Sequence, residues 1–327
     1  MLFDNHNRPL NYLRLAVTDR CNLRCFYCMP EEGIKYLPKT KLLSYEEMER
    51  LVGILASIGI NKVRITGGEP FVRNNLIDFL WRLSDIQGIE EISITTNGVL
   101  TGQYIKQMKE IGIKSVNLSL DTLDRQRFFD ITRRDEFTQV ERCLYDLLDA
   151  DFDVKINAVV MADKNIQDIL PLVALAQNNK VSVRFIEEMP FNGEGSHYPV
   201  LDWTYKKILE KIKAQYPDIQ KITDDKNSTA YHYQIPNFIG NVGIIAAFSR
   251  TFCGTCNRIR LTAQGELKTC LYDNGVLNIR DLMRSGMADD GLKEAFLSAF
   301  KNRAKDGFEA ETLSGRIANE SMTTIGG

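Results

Sequence analysis

Apolar and polar residues alternate with period two in six short runs along the first 190 residues: Tyr12–Val17, Lys62–Thr66, Glu91–Thr96, Ser115–Leu120, Val154–Met161 and Val181–Met189. That period is the mark of a strand, because successive side chains leave a strand on opposite faces. Between the runs lie amphipathic stretches, Ser44–Ile58, Leu76–Asp85, Gly102–Ile111, Val140–Leu148 and Ile166–Gln177. In the first of these, Ser44 and Glu47 have the spacing of a capping box ahead of an apolar stripe at Met48, Leu51, Val52 and Leu55. Strand followed by helix, repeated six times, calls for a parallel sheet with right-handed crossovers. We expect an α/β fold, a partial (β/α)6 barrel of the TIM type, with its chemistry at the C-terminal ends of the strands.

After Met189 the pattern changes. Residues 191–196 read as a loop, Trp203–Ala214 as a helix, and Tyr231–Ile235 and Val242–Phe248 as antiparallel strands. Helices are expected near Ile279–Arg284 and Leu292–Arg303, followed by an irregular tail ending in Gly326 and Gly327. The division is therefore a barrel over residues 1–190 and a C-terminal α+β domain over 191–327 that closes it.

The strand parity carries more information than the strands themselves. In the second run, Lys62, Arg64 and Thr66 share one face while Val63 and Ile65 take the other. The same split sets Ser93, Thr95 and Asn97 against Ile92 and Ile94, and Asn117, Ser119 and Asp121 against Val116, Leu118 and Leu120. Lys155 and Asn157 oppose Val154 and Ile156, and Arg184 opposes Val183 and Phe185. For one strand, an open sheet with a solvated face explains this well, but crossover helices cover parallel sheets on both faces. Five strands in agreement predict a polar cavity inside the barrel. Lys62, Arg64, Lys155 and Arg184 would be costly there without a polyanion, and phosphates are the obvious candidate.

Bulk composition first argues the other way. The chain has 327 residues, with 41 Lys+Arg against 43 Asp+Glu and a net charge of -2, which excludes nucleic acid or an anionic membrane as a bulk electrostatic partner. No apolar run approaches the ~20 residues that span a bilayer, and the N-terminal residues lack the pattern of a secretory signal, so a cytosolic location is expected.

Disulfides are then unexpected, and six of the seven cysteines fall into two groups, Cys21/Cys25/Cys28 and Cys253/Cys256/Cys270. Cys21-x3-Cys25-x2-Cys28 follows the first strand. Three thiolates can hold three irons of a four-iron cluster and leave the fourth open, whereas a closed zinc site needs four ligands and the nearest histidine, His6, precedes the strand. Cys253-x2-Cys256-x13-Cys270, taken alone, fits a zinc site with a remote fourth ligand as well as it fits a second cluster. Cys143 lies on an apolar helical stripe and reads as core; His197 and His232 are isolated and carry no assignment.

The first group, with Tyr27 before its last cysteine and Gly67-Gly68-Glu69-Pro70 after the second strand, resembles the signature of the radical S-adenosylmethionine (SAM) superfamily. The second, with Asn257, Arg258, Arg260, Gly265 and Leu271 around it, resembles the C-terminal motif of the GTP 3′,8-cyclase family, which opens molybdenum-cofactor biosynthesis. The resemblance spans essentially the whole chain, including Thr18-Asp19-Arg20, Thr95-Thr96-Asn97-Gly98 and the terminal Gly326-Gly327.

The resemblance implies two 4Fe-4S clusters, one on each cysteine group, and SAM chelated by the open iron of the first. Tyr27, Gly68, Glu69, Ser119 and Met189 would contact SAM, with the glycines allowing close approach and Glu69 accepting from the amino end. Arg14, Lys62, Arg64, Thr95, Lys155, Arg184, Arg258 and Arg260 would hold GTP, whose base would meet the second cluster. A 5′-deoxyadenosyl radical would take the ribose 3′ hydrogen, and the carbon radical would close onto guanine C8 to give (8S)-3′,8-cyclo-7,8-dihydroguanosine 5′-triphosphate. The di-glycine tail would complete the radical chamber. A reductase or flavodoxin-type electron donor and a downstream cyclic pyranopterin monophosphate synthase are the implied partners; monomer or homodimer is left open. A peptide-modifying radical SAM enzyme and a non-catalytic iron–sulfur or zinc protein are the rival readings.

Overall fold

The computed structural model describes residues 2–191, 201–315 and 320–326. The expected loop at 192–196, His197 and Gly327 lie outside the described residues.

A small antiparallel hairpin, β1 (Leu2–Phe3) with β2 (Pro9–Leu10), precedes a twelve-stranded sheet. Six of its strands are the predicted ones: β3 (Tyr12–Ala16), β4 (Lys62–Thr66), β5 (Glu91–Thr96), β6 (Ser115–Ser119), β7 (Asp153–Val160) and β8 (Val181–Glu187). The chain then adds β9 (Gln220–Lys221), β10 (Ala230–Gln234), β11 (Asn241–Ile245), β12 (Arg258–Leu261), β13 (Glu266–Lys268) and β14 (Leu277–Asn278). The order is β14-β13-β12-β3-β4-β5-β6-β7-β8-β11-β10-β9.

Strands β3 to β8 pair in parallel with their sequence neighbours, as βαβ crossovers require. The strand predicted at Val242–Phe248 is antiparallel to β10 as expected, but β11 also runs parallel to β8. On the opposite edge β12 runs parallel to β3. The C-terminal part is thus joined to both edges of the six-stranded barrel through the sheet itself. Because β11 and β12 do not pair with each other, the barrel stays partial.

The helix over Tyr45–Ser57 begins with the predicted capping box: Ser44 Oγ accepts from the Glu47 amide at 3.2 Å, and Glu47 Oε2 accepts from the Ser44 amide at 2.7 Å. The other predicted helices appear at Leu76–Ser84, Ile105–Ile111, Phe137–Asp149, Ile169–Asn178, Tyr205–Gln215, Ile279–Arg284 and Asp289–Phe300. One barrel helix, Arg125–Thr132, was not expected from the pattern. Its exposed face is charged and only Phe128, Ile131 and Thr132 are buried, so it lacks a strong apolar stripe.

The irregular tail requires correction. It contains helices at Gly307–Ser314 and Met322–Ile325, the second capped by Ser321 Oγ accepting from the Thr323 amide and packed into a small cluster with Phe191 and Tyr272. Short polar helices of this kind carry little periodicity to read.

The outward residues of β3 to β8, among them Leu13, Leu15, Val63, Ile65, Ile94, Leu118, Ile156, Val183 and Phe185, are fully buried against the helices. Phe185 is among the largest of them. Phe185→Ala should cost about 3–5 kcal/mol in chemical denaturation of the apo-chain, while a cost under about 1 kcal/mol would mean that this face is less tightly packed.

Candidate active site

Residues from β3 to β8 and from β11, β12 and β13 line one cavity of about 280 Å³. Both cysteine groups face it: Cys21, Cys25 and Cys28 on the loop after β3, and Cys253, Cys256 and Cys270 around β12 and β13. Nothing in sequence spacing requires two triads more than two hundred residues apart to share a cavity.

The loop carrying the first triad is clamped by Gly67 and Gly68. Gly68 N donates to Thr18 O at 2.9 Å and Glu69 N to Arg20 O at 2.8 Å. A Cβ on Gly67 would lie 2.4 Å from Thr18 O, and one on Gly68 2.2 Å from Arg20 O and 3.1 Å from Cys21 N. Both glycines line the cavity, as the expected ligand contact requires, and they also permit the close approach of the cysteine loop's own backbone. Glu69 is fully buried and accepts from the amides of Phe71 (3.2 Å) and Asn97 (2.7 Å) and from Thr96 Oγ1 (2.8 Å), tying this turn to the end of β5. Burial holds its carboxyl up at about 7 against these donors. Asn97 continues the link, donating to Asn22 Oδ1 at 2.8 Å and lying 3.7 Å from Cys21 Sγ. Tyr27 donates to Asp121 at 2.8 Å, and Ser119 and Met189 line the same cavity.

Burial pushes Cys21 up to about 11, with Glu69 adding to it; burial also raises Cys25, helped by Cys28 and Cys21, and Cys28, helped by Cys21 and Asp121. Holding all three as thiolates at once would take a cationic centre among them. Among the described residues, no three His, Cys, Asp or Glu side chains converge on a single metal ion. Three thiolates can instead each bind a different iron of a four-iron cluster and leave the fourth iron open.

The second triad sits among cations. Burial raises Cys253 and pushes Cys270 up to about 11; it would raise Cys256 too, but Arg258 and Arg303 bring that thiol down to about 6.

A rank of arginines lines the same cavity. The register sets Arg260, Arg14 and Arg64 side by side on β12, β3 and β4, on strands about 4.8 Å apart. Burial lowers Arg14 well below its usual range, with Arg260 and then Arg64 and Arg258 contributing. Arg260 and Arg184 fall to about 10, burial acting first and the neighbouring arginine second. Arg14 Nε, Arg184 Nε, and Arg258 Nε and Nη2 find no acceptor among the described residues. Buried, mutually repelling and partly unsatisfied donors of this kind fit a polyanion.

Not every expected ligand joins them. Thr95 lines the cavity, but Lys62 and Lys155 do not. Lys62 pairs with Glu91 at 2.7 Å, and Lys155 bonds Asp153 and Ser115. Parity assigned their Cβ direction; a long lysine stem lets the charge turn toward a nearer carboxylate.

Other participants escaped the sequence. Lys268 is fully buried in the lining, and Arg303 binds the second triad. His232 is not isolated: Nδ1 lies 3.0 Å from Asp224 and Nε2 3.4 Å from Arg184. The tail enters too, with Ser321 Oγ donating to Cys28 O, Arg260 Nη1 donating to Gly326 O, and Met322 and Thr323 in the lining.

A family model described as "Radical SAM superfamily" matches residues 15–176, and one described as "Molybdenum Cofactor Synthesis C" matches 181–308. A relative named "GTP 3′,8-cyclase" from Clostridium perfringens (strain SM101 / Type A) is 42% identical over 295 residues, covering 89% of this chain and 90% of the relative. The chain belongs to the GTP 3′,8-cyclase family. The mitochondrial GTP 3′,8-cyclase of Arabidopsis thaliana is 38% identical over 328 residues, 100% of this chain and 84% of that protein. "Molybdenum cofactor biosynthesis protein 1" of Bos taurus is 40% identical over 292 residues, 89% of this chain; the chain spans about half the length, 46%, of that relative.

The structure of Streptococcus suis SuiB bound to S-adenosylmethionine superposes with a TM-score of 0.61 at 14% identity, covering 94% of this chain and 67% of that one, a likeness of fold. Membership in the radical SAM superfamily brings SAM and an iron–sulfur cluster with it. No helix among the described residues is long and apolar enough to cross a membrane.

The Gly68 contact predicts that a side chain there disturbs the loop carrying the first triad. Overpacking costs about 1–3 kcal/mol, so Gly68→Ala should weaken SAM binding by about 5- to 150-fold in equilibrium dialysis. Wild-type affinity would mean that the Arg20–Cys21 backbone gives way freely.

Proposed function

We propose that this chain is a radical SAM lyase, a GTP 3′,8-cyclase that converts GTP to (8S)-3′,8-cyclo-7,8-dihydroguanosine 5′-triphosphate in molybdenum-cofactor biosynthesis. The observation that carries the reading is the shared cavity: two cysteine triads and a set of arginines line one space. In this reading Cys21, Cys25 and Cys28 hold one 4Fe-4S cluster and Cys253, Cys256 and Cys270 a second. Cys21, Cys25 and Cys28 would hold a cluster through which one electron from the donor would cleave the S–C5′ bond of bound SAM to give methionine and a 5′-deoxyadenosyl radical.

The chain's own work is positioning. Arg14, Arg64, Arg184, Arg258 and Arg260 neutralise a triphosphate that would otherwise be expensive to bring out of water, and their fixed strand register aims it. That hold orients the ribose toward the first triad and the base toward the second. Tyr27, Gly68, Glu69, Ser119 and the Met189 backbone form the SAM side. The Met322–Ile325 helix covers the cavity and shields a radical from water and stray hydrogen donors. A barrel unit over 1–190, a C-terminal unit over 191–327, a flavodoxin-type or reductase electron donor and a cyclic pyranopterin monophosphate synthase receiving the product complete the proposal.

Anaerobic incubation with GTP, SAM and a reductant should yield 5′-deoxyadenosine and the cyclised nucleotide together; absence of 5′-deoxyadenosine from protein carrying its iron would sink the reading. Hydrogen bonds to charged groups contribute about 1.5–3 kcal/mol, so Arg258→Ala should weaken GTP binding about 10- to 150-fold while SAM binding persists.

The tail gives a separate expectation. Removing Gly326 and Gly327 takes away the carbonyl that Arg260 holds. Cyclised product should fall more than 5′-deoxyadenosine does; unchanged cyclisation would show that the tail only packs.

A further inference from the structure

Arg303 follows the Asp289–Phe300 helix, and its side chain is 2% exposed. All five of its guanidinium N–H groups have acceptors. Nε donates to Thr269 O at 2.8 Å, Nη1 to Cys256 O at 2.8 Å and Asp4 Oδ2 at 3.1 Å, and Nη2 to Arg258 O at 2.8 Å and Cys256 Sγ at 3.2 Å. Four of these bonds tie segments together, which any structural arginine does. The fifth goes to a sulfur that faces the cavity.

The counter-charge comes from the opposite end of the chain. Asp4, in the β1–β2 hairpin, has a fully buried carboxylate. Its Oδ1 accepts from the amides of His6 and Arg8, both at 2.9 Å, and its Oδ2 from Arg8 Nε at 2.7 Å as well as from Arg303. Arg8 in turn donates to the carbonyls of Ala304 (2.7 Å), Lys305 (2.6 Å) and Cys253 (3.2 Å). The hairpin therefore packs against the second triad from outside, Arg8 bonding the Cys253 carbonyl and Asp4 bonding the Arg303 that reaches Cys256.

We propose that Arg303, balanced by Asp4, is a positioning residue that tunes the second cluster by an N–H···S bond to Cys256. This rests on the reading that Cys253, Cys256 and Cys270 hold a cluster. Hydrogen bonds and positive charge at a ligating sulfur draw electron density from it and stabilise the reduced cluster, raising its potential; a nearby carboxylate lowers it. Arg303 and Asp4 act on the same centre with opposite sign. A residue that merely held the fold would not produce that pattern.

The test uses the full chain, anaerobically loaded, with iron and sulfide counted and the clusters followed by EPR during a reductive titration. The signal that does not respond to added SAM reports the second cluster. Arg303→Gln should move its potential downward, Arg303→Lys should move it downward by less, and Asp4→Asn should move it upward, each at the wild-type iron count. If Arg303→Gln loses iron, Arg303→Lys and Asp4→Asn decide. Potentials unchanged in iron-replete variants, or displaced in the same direction by Arg303→Lys and Asp4→Asn, would overturn the proposal. A wild-type count of about four irons rather than about eight would instead fell the two-cluster reading beneath it.

Discussion

The constraint on which this molecule depends is a rank of buried cations with too few anions of its own. Arg260, Arg14 and Arg64 stand side by side on three adjacent strands, with Arg258 and Arg184 close by. Their mutual repulsion and burial lower the pKa of Arg14, Arg184 and Arg260. Guanidinium tolerates such a setting because it holds its proton where lysine would surrender it. The two lysines offered by the same parity, Lys62 and Lys155, turn away to Glu91 and Asp153. The cavity thus retains the cations that cannot neutralise themselves, which is what recognition of a polyphosphate requires.

Apolar packing outside the barrel makes that interior possible. Each strand presents a mostly apolar face to the helices, broken only near strand ends by residues such as Thr96 and Glu187, so folding does not rely on the inner face and leaves it free for charge. The segments bearing the second triad do not fold as a separate layer; β11 and β12 extend the same sheet at both edges. Hydrogen-bond register, a local rule, therefore fixes where Arg258 and Arg260 stand relative to Arg14. Triads distant in sequence meet across one cavity for the same reason.

Much of this was legible in the chain because it obeys short periods. Six strands and their inward residues followed from alternation, the first long helix from its capping box, and both triads from cysteine spacing. Parity could place the Lys62 and Lys155 Cβ atoms, yet not the ends of four-carbon stems. Proximity of Gly67 and Gly68 to something was readable, but that the something is Thr18 and Arg20 depends on the loop's path. Arg303 and His232 gave no signal at all: the partners of Arg303 include Asp4 and Cys256, and those of His232 include Arg184, contacts that only tertiary structure creates.

The C-terminal glycine shows how a bland local reading can be displaced by packing. A chain end with two glycines reads as frayed when only its neighbours in sequence are considered. Gly326, however, is buried with φ +79°, and a Cβ there would lie 2.9 Å from Thr66 Cγ2 and 3.1 Å from Ala16 Cβ. It therefore lies against the C-terminal ends of β3 and β4, the end at which a barrel keeps its chemistry. Its carbonyl meets Arg260, one member of the cation rank. A residue with a side chain would be strained in backbone and crowded by both strands. The same position that excludes a Cβ also gives Arg260 an oxygen acceptor, so one backbone group both fits the strand ends and meets a member of the cation rank.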